Sequence, residues 1–163
     1  MNNIRNHKSA GFTLIEMMIV IVIIGVMAAM AGPSFSNFIP KMKLKADSRE
    51  KTNYLRQARS RAISENSQYG IYFNTDDNEI VFFKDTSSPE LSTYEEGMDS
   101  LVQDSISCES NVQFSNCSFA NNVVVFYPNG SASTSGSIDL RDTGSSEMYT
   151  ISVLASTGRV RMQ

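Results

Sequence analysis

The chain has 163 residues, a net charge of −3 and 41% hydrophobic residues, which bounds it to one modest domain plus one membrane-length segment and leaves no bulk attraction to a polyanion. Its two cysteines and one histidine exclude a multi-ligand Cys/His metal centre. Charge and hydropathy are unevenly spread. A dense apolar block fills Phe12 to Phe38, and eight Lys/Arg residues between Lys41 and Arg61 face only Asp47 and Glu50. From Asp76 to Glu147 acids dominate, with Lys84 and Arg141 as the basic residues. A basic stalk is therefore expected to carry an acidic body, with Arg159 and Arg161 at the C-terminal end.

In chain order, Met1 to Gly11 is polar and includes Arg5, His7 and Lys8. Phe12 to Gly32 is apolar apart from Glu16, and as a helix it spans roughly 31 Å, the thickness of a bilayer core. The positive flank lies before it, so the N-terminus is expected in the cytoplasm and the rest outside. A plain membrane anchor explains the length and the flank but not Glu16. A secretory signal peptide, with Ala29-Met30-Ala31 as its cleavage site, leaves the same carboxylate unexplained. The string Gly11-Phe12-Thr13-Leu14-Ile15-Glu16 resembles the type IV prepilin signal. That resemblance implies cleavage after Gly11 by a prepilin peptidase, N-methylation of Phe12, retention of the apolar helix and an assembly role for Glu16. Pro33 stands where the family has a proline after the apolar run. An ionised group in a membrane span is costly and is usually paired and functional. In such filaments the glutamate is thought to neutralise a free N-terminal amine, here that of Phe12.

Pro33 and Pro40 are each expected to kink or loosen the helix. Beyond Pro40 a helical period continues to about Asn66, with Leu44, Tyr54, Leu55, Ala58 and Ala62 on one side. Lys41, Lys45, Arg49, Arg56 and Arg59 form a separate basic stripe, either solvated or turned toward acidic neighbours or lipid headgroups. The period then becomes that of strands: Tyr69 to Phe73, Ile80 to Lys84, Val123 to Tyr127, Ser137 to Leu140, Met148 to Leu154 and Arg159 to Met162. Thr75-Asp76-Asp77-Asn78, Pro128-Asn129-Gly130 and Thr157-Gly158 mark turns, and 85–103 is expected to be a long loop.

Leu55-Arg56-Gln57-Ala58-Arg59-Ser60-Arg61-Ala62, Phe126-Tyr127-Pro128-Asn129-Gly130, Gly136-Ser137-Ile138, Tyr149-Thr150-Ile151 and Thr157-Gly158-Arg159-Val160-Arg161, in that order, resemble the GspH/FimT family of minor pilins and pseudopilins. The resemblance implies an α+β, type IV pilin-like fold: a long N-terminal helix packed on an antiparallel β-sheet or small β-sandwich. The expected division is leader 1–11, transmembrane and assembly helix 12–35, amphipathic stalk helix 36–66 and globular β domain 67–163. The implied function is that of a structural subunit of a type IV pilus or a type II secretion pseudopilus, in a complex that initiates or caps the filament. The implied partners are other minor subunits, the major subunit, the prepilin peptidase and inner-membrane lipid. Some FimT-type relatives with a Gly-Arg-X-Arg tail bind DNA, so Arg159 and Arg161 are candidates for phosphate contacts; similar tails occur in relatives with no such role, and solvated charges at a strand end or salt bridges to the acidic body are the blander explanation.

Cys108 and Cys117 close a short loop in a domain expected beyond the inner membrane, an oxidising compartment, and a disulfide there would contribute about 2–3 kcal/mol if geometry permits. Free structural thiols are the alternative. Asp76, Asp77 and Glu79 cluster in a turn, where hard cations find oxygens, but turns favour Asp and Asn in any case. No metal and no cofactor is expected. His7 lies in the leader, which leaves the mature chain without a His-dependent triad and points away from an enzyme.

Overall fold

The computed structural model describes residues 11–86 and 92–163, without the side chains of 31–37 and 104. The chain divides into two compact units with the boundary between Phe38 and Ile39. Most of the expected leader, His7 included, lies outside the described residues.

A single helix, α1, Leu14–Ser64, contributes to both units. In the first unit its described side chains from Leu14 to Met30 are exposed, Leu14 and Met30 both by more than three quarters. Among the described residues no helix is long and apolar enough to cross a membrane; the described side chains of the apolar stretch end at residue 30 and resume at Phe38. Both prolines fall inside the helical span.

In the second unit α1 is amphipathic, and Leu44, Asp47, Ser48, Lys51, Thr52, Leu55, Ala58 and Ala62 are buried, an i, i+3, i+4, i+7 spacing that puts them on one face. Two strictly antiparallel sheets complete this unit. One has the order β3-β2-β1-β5, from β1 Tyr69–Asn74, β2 Glu79–Lys84, β3 Ser100–Ser107 and β5 Val123–Phe126. The other has the order β4-β6-β7-β8, from β4 Val112–Cys117, β6 Gly136–Asp142, β7 Met148–Leu154 and β8 Arg159–Met162. Residues of α1 and of both sheets share one core. Phe73 of β1 stacks on Phe119 at 5.5 Å between ring centroids and meets Phe114 of β4 edge-on at 5.9 Å, so aromatic contacts join the sheets. The turn residue Asn78 ties them again: its side-chain oxygen accepts from Phe114 N at 2.9 Å and its carbonyl from Cys108 N at 2.8 Å.

Two strands were not anticipated. The expected loop over 85–103 ends in β3, and β4 follows it. β3 is a polar edge strand, Ser-Leu-Val-Gln-Asp-Ser-Ile-Ser, with little β-branched content to announce it. β4 did carry a signal, since Val112 and Phe114 alternate with polar residues and are buried. The outer face of the first sheet is covered by the chain before β3: Tyr94 stacks on Tyr72 at 5.1 Å and packs against Phe83 at 5.0 Å.

Candidate functional site

At the helix start, Thr13 is the residue before α1 and Glu16 is the third helical residue. Thr13 Oγ1 accepts a hydrogen bond from Glu16 N at 3.3 Å, and Met17 N donates to Thr13 O at 3.2 Å. Thr-X-X-Glu is the spacing of a capping box, in which the hydroxyl satisfies one of the orphan amides of the first turn. The carboxylate of Glu16 also sits at the positive end of the helix dipole. Gly11 and Phe12 precede the helix, and Phe12 is 75% exposed. Cleavage after Gly11 would therefore leave the new amine four residues before Glu16. The Thr13 contribution escaped the sequence reading, although the spacing announced it.

The basic residues of the second unit divide into two kinds. Lys51 is fully buried, with Nζ 2.9 Å from Asp47 Oδ1, 3.3 Å from Glu50 Oε2 and 3.0 Å from the carbonyl of Ser107, to which it donates. Burial by itself lowers the Lys51 pKa, but the hydrogen bond and charge of Asp47 outweigh it and the result is raised. Cys108 shares this site: burial, then the Asp47 carboxylate, push its thiol up to about 12. The Cys117 thiol is raised by burial and meets the backbone of Phe119 instead. Both cysteines are half-buried free thiols in this structure. The turn closed by Val112 N on Glu109 O keeps Cys108 beside the start of β4, and Cys117 ends that strand.

The acidic turn is occupied by its own hydrogen bonds. Asn74 Oδ1 accepts from the amides of Asp76 and Asp77, and Asn74 Nδ2 donates to Asp77 Oδ2 at 2.8 Å. No group of three or more metal-ligating side chains occurs among the described residues.

The arginines behave differently from Lys51. A cleft of about 770 Å³ is lined by Arg56 and Arg59 of α1, by Ser152, Val153 and Leu154 of β7, and by Thr157 to Arg161 and Gln163 but not Met162. None of its four arginines makes an ion pair among the described residues, and no carboxylate side chain lines it. Arg59 is anchored by Nε donating to Gly130 O at 3.0 Å. Gly158, at φ +58°, makes that approach feasible: a Cβ there would stand 2.3 Å from Gly130 O and 2.9 Å from Arg59 Nε. Sequence reading nominated Arg159 and Arg161 and placed Arg56 and Arg59 on a separate stripe; the fold brings all four together.

The sequence from 48 to 157 matches the family described as Type II transport protein GspH. The chain belongs to this family. Residues 6–32 match the prokaryotic N-terminal methylation motif, and a GspH-family chain with that motif is a minor pilin or pseudopilin, a membrane-anchored structural subunit of a type IV pilus or type II secretion filament. The minor pseudopilin EpsH from the type 2 secretion system of Vibrio cholerae is similar in fold, with a TM-score of 0.55 at 14% identity over 74% of this chain and 96% of that one. The type IV minor pilin FimU of Pseudomonas aeruginosa gives 0.58 at 16% identity over 77% and 92%. The type IV major pilin protein PilA of Myxococcus xanthus is 42% identical over 71 residues, which are 42% of this chain and 31% of that protein. The α+β expectation, a helix packed on antiparallel sheets, agrees with the GspH fold.

Proposed function

We propose that this GspH-family chain is processed after Gly11 by the prepilin peptidase, N-methylated on Phe12, and held in the inner membrane with its β domain in the periplasm until it joins other minor subunits and the major subunit. There it initiates or caps a filament. The observation that carries this reading is the capped start of α1: Thr13 and Glu16 fix the helix directly after Phe12, and the described apolar side chains that follow, Leu14 to Met30, are exposed. Bilayer lipid and then neighbouring helices would cover them. Glu16 is assigned the role of neutralising the Phe12 amine, its own or a neighbour's. Intact-mass measurement of the mature chain tests this directly. The expected species begins at methylated Phe12, and Glu16→Ala should be processed normally but fail to enter filaments. A chain beginning at Met1, or beyond Ala31, removes the reading.

A second reading has one observation in its favour. Arg159 and Arg161 share their cleft with two further guanidinium groups and no carboxylate side chain, a composition suited to phosphates. DNA uptake by such a minor pilin would use these arginines with little sequence preference. The test is DNA retention by the full chain in detergent micelles at moderate salt, with Arg159 and Arg161 intact or both changed to Gln. Absence of retention by the intact chain, or equal retention by the variant, rejects it.

A further inference from the structure

The arginine cleft has a feature that phosphate binding does not use: its lining includes Val160 of an edge strand. β8 is the last strand of its sheet and pairs only with β7. Thr150 and Gln163 exchange both backbone hydrogen bonds, at 3.0 Å and 2.9 Å. In an antiparallel ladder the hydrogen-bonded pairs alternate with non-bonded ones. Ser152–Arg161 is therefore the next bonded pair, and the backbone groups of Val160 and Met162 point away from β7. Among the described residues those N–H and C=O groups have no hydrogen-bond partner. Val160 lines the cleft between Arg159 and Arg161, and Leu154, 51% exposed, lies opposite Arg159 on β7.

We propose that this cleft takes an extended acidic segment of a neighbouring filament subunit, which adds as a strand to the free edge of β8. Main-chain hydrogen bonds to Val160 and Met162 would supply the register, and alternate side chains would meet the arginines. Two observations favour a peptide over DNA. The free carbonyls of the edge need a donor, which a phosphodiester lacks and a peptide amide provides. The cleft also has no aromatic side chain in its lining, so nothing there stacks with a base. Arg56, exposed and without a hydrogen bond among the described residues, is assigned as a binding residue that the tail motif alone does not reveal.

The test uses the full chain in detergent micelles, so its outcome is separate from that of filament assembly. The probes are a short peptide alternating glutamate and valine, its lysine–valine counterpart, and a short DNA duplex. Binding is read by fluorescence anisotropy, and backbone amides by NMR hydrogen exchange. The glutamate peptide should bind and slow exchange of the Val160 and Met162 amides, and the lysine peptide should not bind. Arg56→Gln, which disturbs no described contact, should weaken binding by about tenfold, the loss of roughly one charge-assisted contact. Binding of the duplex without binding of the glutamate peptide overturns the proposal, as does peptide binding that leaves both amides unprotected.

Discussion

The two parts of α1 invert the usual rule of burial. From Leu14 to Met30 the helix exposes isoleucines, valines and methionines; after Ile39 it buries an aspartate, a serine, a lysine and a threonine. Helical period is common to both, so propensity does not separate them. What separates them is the partner. The second part lies on its own sheets, and its polar groups find partners there or within the helix: Ser48 Oγ donates to Leu44 O and Thr52 Oγ1 to Ser48 O, each at 2.7 Å. The described side chains of the first part are exposed, and a helix that is apolar all round reads as made for lipid or for another subunit.

The sharpest way to break that contrast is to unpair Lys51. Lys51→Ala leaves the buried Asp47 carboxylate without its counter-charge, and Asp47→Ala leaves Lys51 only the half-exposed Glu50; losing one partner of a buried pair typically costs about 3–5 kcal/mol. The double change Asp47→Leu with Lys51→Met removes both charges and should recover most of that loss. Urea unfolding of the full chain in micelles, followed by tyrosine fluorescence, checks it. Equal stability of the single and double variants would mean that the pair is not coupled.

The alkaline limit of stability sharpens the same comparison with a smaller effect. The folded pKa values of both Lys51 and Cys108 lie above their ordinary ones, 10.5 and 9.0. For a group raised on folding, the unfolded state gives up its proton first as pH rises. The stabilisation is therefore complete below about 9, declines as the unfolded thiol and then the unfolded amine titrate, and is lost once pH passes the folded values. A Cys108→Ala variant should make the decline that begins near 9 shallower, leaving the contribution of Cys117, also raised from 9.0, ahead of that of Lys51. Unfolding midpoints measured across that range decide it, and identical pH profiles would exclude Cys108 from the site. Its protonated thiol should also react slowly with iodoacetamide at neutral pH while the domain is folded.

Much of this arrangement was legible in the sequence, for physical reasons that also explain what was not. The helix, the hairpin at Thr75–Asn78 and six of the strands announce themselves by period and turn chemistry, because each element's pattern is local. Leu44, Leu55, Ala58 and Ala62 are buried as expected, and Tyr54 is half-buried. β3 was hidden because an edge strand can be polar. The role of Lys51 was hidden because a lysine on a basic helix reads as solvated; only Asp47 four residues earlier hinted at a partner. The union of Arg56 and Arg59 with Arg159 and Arg161 spans about a hundred residues and depends on where β8 is laid down beside α1, which no local pattern encodes.

The smallest effect tests the exposed part of the helix on its own terms. Thr13 caps α1 through the amide of Glu16, and replacing an N-cap Thr by Ala typically costs about 1 kcal/mol. In the second unit such a loss would be spread over a packed core. In the first, the described side chains of the opening turn are exposed, so the cost should appear locally, as fraying. Thr13→Ser should preserve the hydroxyl acceptor and the cap. Hydrogen exchange at the Glu16 amide, measured in micelles, should therefore speed up about fivefold in Thr13→Ala and stay near wild type in Thr13→Ser, with amides beyond Phe38 unchanged in both. Fraying would also move the Glu16 carboxylate relative to the Phe12 amine, so filament entry should fall in Thr13→Ala and be restored in Thr13→Ser. If both variants exchange and assemble like the wild type, the hydroxyl is incidental, and Glu16 is held in position by its neighbours in the filament rather than by the start of its own helix.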